Sequence, residues 1–166
     1  MALTSTTTTQ FNARYKDGIS VADLTQFQKE FDTTNEAGAA QDIKVALYSD
    51  AATLTAATTE YTTTNEISGT GYTAGGLKFS PYPTVTVEAG IDGNIHYVDF
   101  PDAVWTNATF TARGALIYRG YYVSTTWTTL ATAIYDFGGN FVVTNGTFTI
   151  MWPPANISSA AIRVLG

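Results

Sequence analysis

From residue 41 onward the chain alternates apolar and polar side chains with a period of two, and this pattern constrains the fold most. Ile43, Val45 and Leu47 alternate with Lys44, Ala46 and Tyr48, and Leu130, Thr132 and Ile134 with Ala131, Ala133 and Tyr135. Successive strand side chains point to opposite faces, so each such run reads as a half-buried strand. Further strands are expected at 61–67, 77–80, 84–88, 94–100, 103–118 (with a bulge or bend at Gly114), 141–144, 147–152 and 160–165. Gly-rich, Pro-containing and Asn145-Gly146 segments punctuate them as turns, with loops at 51–59, 119–126 and 138–140. About eight short strands predict an all-β chain, an antiparallel β-sandwich of jelly-roll or immunoglobulin-like type. No fixed-period repeat points to a solenoid or propeller.

The first 40 residues are of a different kind. Residues 1–18 carry the run Thr6–Thr9 and no core-forming period, and are expected to form a mobile arm. It reads either as a frayed terminus or as an arm docking on a neighbouring subunit through Phe11 and Tyr15. One short amphipathic helix follows, capped by Ser20 with Asp23 three residues on, and ending near Asp32. Val21, Leu24, Phe27 and Phe31 mark its apolar stripe, which must pack on the sandwich or on a partner. The division is therefore 1–40 as arm and helix, 41–166 as sandwich body.

Composition removes most chemistry. The 166 residues include no Cys and a single His, His96, so thiolate chemistry, Cys zinc sites, disulfides and multi-histidine metal sites are excluded within one chain. Net charge is −6, and the eight Lys and Arg residues are scattered singly, which argues against direct nucleic-acid or anionic-membrane binding. No apolar run approaches the ~18 residues of a membrane span, and the opening Met1–Gln10 has no basic n-region or apolar core, so no secretory signal is expected. The Asn107, Asn145 and Asn156 sequons read as chance matches in a chain with 30 Thr.

The remaining motifs are weak. Gly69–Gly76 has neither the dinucleotide spacing nor the Gly-Lys-Ser/Thr of a phosphate loop. Asp92, His96, Asp99 and Asp102 are the densest polar cluster, but on one strand His96 and Asp99 face opposite ways, which weakens a dyad. Calcium on the three Asp is conceivable without any loop motif to support it. No Gly-X-Ser-X-Gly elbow surrounds a serine. Trp105 and Trp152 lie in strand-like segments and read as structural, whereas Trp127 is the better surface candidate for an interface or a sugar-stacking platform. The reading is of a protein that is not an enzyme and needs no cofactor or metal.

Four segments carry a resemblance. Ile43-Lys-Val-Ala-Leu-Tyr48 through Ser68-Gly-Thr-Gly-Tyr-Thr-Ala-Gly-Gly76, Asp102-Ala-Val-Trp105 through Ala115-Leu-Ile-Tyr118, Ala133-Ile-Tyr-Asp-Phe-Gly-Gly139 and Asn145-Gly-Thr-Phe-Thr-Ile-Met-Trp-Pro153 together resemble a recurrent signature of tailed-bacteriophage virion structural proteins. The resemblance spans about 43–165 and leaves 1–40 uncovered. It implies location in the virion after assembly in the host cytoplasm, and binding to the major capsid protein or other virion proteins. Homo-oligomers, trimers at capsid three-fold positions, are also implied. Capsid decoration or cement is the leading role; a tail, neck or fibre-attachment component and a glycan-binding module are the alternatives. On this reading, deleting 1–18 leaves a folded body that no longer joins particles. The interface residues are Phe11, Tyr15, Leu24, Phe27, Phe31 and Trp127.

Overall fold

The computed structural model describes residues 3–15, 21–35, 37–90 and 93–165, without the side chains of 21–25, 93 and 165. Its elements run β1 (Thr6–Thr7), α1 (Thr9–Tyr15), α2 (Val21–Glu30), β2 (Gln41–Tyr48), β3 (Leu77–Lys78), β4 (Thr84–Gly90), β5 (Gly93–Asp99), β6 (Ala103–Val123), β7 (Thr126–Ile150) and β8 (Ile162–Leu165). They form two antiparallel sheets, β1-β7-β6-β2-β3 and β4-β5-β8. The expected all-β sandwich is what the chain forms.

The larger sheet is covered on both faces where β2 pairs with Gly114–Tyr121 of β6. On one side Ile43, Val45, Ala115 and Ile117 meet Val98, Ile162 and Val164 of the smaller sheet. On the other, Ala46, Tyr48, Leu116, Tyr118 and Ile134 are capped by Leu3, Ala52 and Leu54. Two-sided burial explains why these runs lose the clean alternation of a one-faced strand. Gly76, at φ 70°, sits so close to the Val45 carbonyl that any Cβ there would collide with it.

The N-terminal segment corrects the expectation of a mobile arm. Thr6–Thr7 pairs with Ala133–Ile134 of β7, and Thr9–Tyr15 is a second helix. The Thr8 hydroxyl donates to the Ala131 carbonyl at 2.9 Å and accepts from the Phe11 amide at 3.2 Å, capping α1. Phe11 and Tyr15, four residues apart, therefore share one helical face, and both are buried in the same core as Phe27 and Phe31 of α2. Phe11, Tyr15, Phe27 and Phe31 thus share a core with residues of 41–166. α2 ends at Glu30, two residues before the expected Asp32; its proposed cap Ser20 lies outside the described residues.

Strand lengths are the second correction. The expected loop at 119–126 shrinks to the two-residue turn Ser124–Thr125, and the expected breaks at 138–140 and 145–146 do not separate strands. β6 and β7 form one long hairpin, closed at Ser124–Thr125, and the punctuation appears as bulges within it. Four residues, Phe137–Asn140, stand opposite Arg113 alone between the Ala112–Phe141 and Gly114–Asp136 pairs. Gly138 and Asn145 adopt positive φ, which a bulge uses as readily as a turn. Residues 61–67 are not a strand; they touch β2 through one bridge, Tyr48–Glu66.

Candidate functional site

Buried Glu30 and Arg119 hold elements together. Arg119 lies on β6, 2% exposed, and its Nε is 2.8 Å from Glu30 Oε2 on α2. Glu30 Oε1 accepts from Arg14 at 2.7 Å and from the Tyr15 hydroxyl at 2.9 Å, so one carboxylate fastens both helices to the sheet. Burial, and next the Glu30 charge, pushes the Tyr15 phenol far above its ordinary range, so it stays a donor.

A second carboxylate fastens the 59–76 loop. Glu66 accepts from the Tyr61 hydroxyl at 2.5 Å, the Tyr72 hydroxyl at 2.6 Å and the Gly75 amide at 2.8 Å. Tyr118 donates to the Gly75 carbonyl at 2.6 Å and stacks on Tyr61 with centroids 4.8 Å apart. Burial raises the phenols of Tyr61, Tyr72 and Tyr118, so none is poised as a base near neutral pH.

The candidate chemistry does not assemble. His96 is buried and its ring lies 6.2 Å from that of Phe27, while Asp99 and Asp102 are exposed. Asp92 lies outside the described residues. Burial holds the His96 imidazole below its ordinary value, and its Nδ1 has no hydrogen-bond partner among the described residues. Among those residues no three His, Asp or Glu side chains are grouped to hold a metal ion.

The predicted interface residues divide. Phe11, Tyr15, Phe27 and Phe31 pack ring on ring within this chain, Phe11 with Tyr15 at 5.0 Å and Phe27 with Phe31 at 5.7 Å. All four are buried within this chain, against β5 and the sheets. The Leu24 side chain lies outside the described residues. Trp105 packs on Phe148 and Trp152 donates to the Pro101 carbonyl, both within the aromatic core. Trp127 alone is on the surface. It is 42% exposed at the β6–β7 tip, beside Tyr122 at 5.0 Å and the exposed Val123. Its six-membered ring lies against Gly120, where a Cβ would force the indole to shift.

A second exposed apolar area runs along β7 from the middle of the hairpin to its open end. Phe137, Phe141, Phe148, Ile150 and Met151 line a groove of about 310 Å³. The sequence reading missed it. Its one local signal is that Phe137–Trp152 contains no ionisable side chain.

The fold and these surfaces define an all-β sandwich in which, among the described residues, two groups of exposed apolar side chains lie on one hairpin, one at its closed end and one along β7. Comparison with protein-family models, characterised proteins and solved structures gives no match to the chain.

Proposed function

We propose that the chain is a non-enzymatic structural protein of a tailed-bacteriophage virion that decorates and cements the capsid shell. The observation that carries this reading is the presence of two separate exposed apolar groups on a braced hairpin, Tyr122, Val123 and Trp127 at its closed end, and Phe141 and Val142 near its middle with Met151 just past its open end. A cement protein acts by shape and contact, and needs a rigid body with more than one adhesive surface. The resemblance of residues 43–165 to virion structural proteins supports the same assignment. The partners are the major capsid protein and further copies of this chain.

The test is quantitative protein analysis of purified particles. Copies in the hundreds per virion fit a shell protein. A dozen or fewer would move the assignment to the tail or neck, and absence from the particle would overturn the virion reading. Glycan binding that is lost in Trp127→Ala would instead support a carbohydrate-binding module.

A further inference from the structure

The sandwich manages its edges unevenly. β1 and β3 are two residues long, β4 follows Pro83 and carries Glu88, and β8 is short and carries Arg163. Each has a feature that discourages pairing with another chain. The two hairpin strands are the exceptions: β2 covers β6 only at Gly114–Tyr121, which leaves Ala103–Arg113 a single isolated bridge, Thr70–Thr109, and β7 is more open still. β1 covers it only at Ala133–Ile134, so beyond that point one edge pairs with β6 and the other with no strand among the described residues. The regular stretch Phe141–Val143, paired with Phe110–Ala112, leads this free edge, and Asn145–Gly146 bulges after it. Phe141, Val142 and Met151 are 52%, 71% and 77% exposed there.

We infer that the free edge of β7 at Phe141–Thr144 pairs antiparallel with the same edge of a second copy of this chain across a two-fold axis. Charge and symmetry argue for that occupant. Phe137–Trp152 has no ionisable side chain in a chain of net charge −6, and the exposed Asp50 carboxylate reaches it at Asn140, 3.1 Å away and before the pairing segment, so two copies meet along Phe141–Thr144 with little like-charge repulsion and a charged partner finds little to recognise. An antiparallel edge is self-complementary under two-fold rotation, since each unpaired N–H meets the carbonyl related to it. An axis perpendicular to the sheet brings the two grooves lined by Phe141, Phe148 and Met151 to the same face, as one apolar strip. Phe141, Val142 and Met151 bare roughly 300 Å² of side chain, given ~150–250 Å² for a large side chain. With the backbone edge this stays at the low end of the ~800 Å² per partner of a stable interface, so the dimer dissociates on dilution. The inference rests on the edge itself and stands independently of the virion role.

The experiment uses the purified full-length chain and needs no particles. Molar mass by light scattering across a dilution series is expected to fall from twice the monomer to the 17.8 kDa monomer. Hydrogen exchange at amides 141–144 is expected to slow at the concentrated end. Val142→Lys, at a solvent-exposed position, is expected to stay monomeric throughout with an unchanged melting temperature. Val87→Lys on the β4 edge is expected to dimerise like the parent. A monomer at every concentration, a trimer, a dimer that survives Val142→Lys, or amide protection gained elsewhere overturns the inference.

Discussion

Arg119 and His96 are both buried, and they differ in what surrounds them. Arg119 has Glu30 at 2.8 Å, and an ion pair inside a core is most sensitive to losing one partner. Glu30→Gln keeps the shape but removes the counter-charge, and is expected to destabilise the fold by about 3–5 kcal/mol, read from urea unfolding. Glu30→Leu combined with Arg119→Met is expected to cost less than Glu30→Gln alone, because no charge is then left buried without its counter-charge. His96 has no such partner, and burial lowers its proton affinity below the ordinary value of 6.5. As pH drops below about 6.5, the unfolded chain takes up a proton that the folded chain resists. Stability is therefore full above that pH and declines as pH falls toward the lowered folded value. Asp32 and Asp136, held low by hydrogen bonds from Lys29 and Arg113, lose their stabilising charge only at more acid pH. The urea midpoint is expected to fall between about pH 7.5 and about pH 5.5, and His96→Leu is expected to flatten that fall. An equal decline in both proteins would remove His96 as the cause.

At the scale of elements, α1 is where the structure changes the expected behaviour most. The segment that reads as an arm supplies Leu3, Phe11 and Tyr15 to the core and Thr6–Thr7 to the sheet. Phe11→Ala is expected to destabilise by about 3–5 kcal/mol, the usual loss for a buried phenyl. At roughly 2–4 °C per kcal/mol for a chain of this size, calorimetry should register it clearly. Deleting residues 1–15 is expected to abolish cooperative unfolding, rather than leave a folded body. A truncated chain that melts cooperatively near the parent temperature would restore the arm. The strands were legible because alternation is a local signal, and so was the bulge at Gly114. Their joining into one hairpin was not. Gly138 and Asn145 need positive φ in a bulge as in a turn, and only the pairing of β6 with β7 tells the two apart. The i, i+4 spacing of Phe11 and Tyr15 was present in the sequence, but four successive Thr before it obscured a helix that Thr8 in fact caps. Trp127 was legible as a surface residue because it lies in a segment without alternation. The Phe141–Met151 groove was not, because its exposure depends on which strand fails to cover β7.

At the scale of the whole molecule, the hairpin carries two separate exposed apolar groups. The register of β6 with β7 places Tyr122, Val123 and Trp127 at its closed end, and Phe141 and Val142 near its middle with Met151 just past its open end. If the β7 edge joins copies of the chain, the closed end is left free for the shell contact proposed above. The two functions should then separate by mutation. Tyr122→Ser with Trp127→Ser is expected to preserve self-association and lose binding to particles stripped of this chain, measured by co-sedimentation. Gly120 becomes uncovered in that variant, so its melting temperature is a necessary control. Val142→Lys is expected to do the reverse, with the tip intact and the chain monomeric. It should still bind particles, but release faster, because two linked tips hold a repeating surface far longer than one. A tip variant that binds as well as the parent would place the grip elsewhere on the sandwich. A Val142→Lys protein with unchanged release would mean that pairing at the β7 edge plays no part in holding the shell.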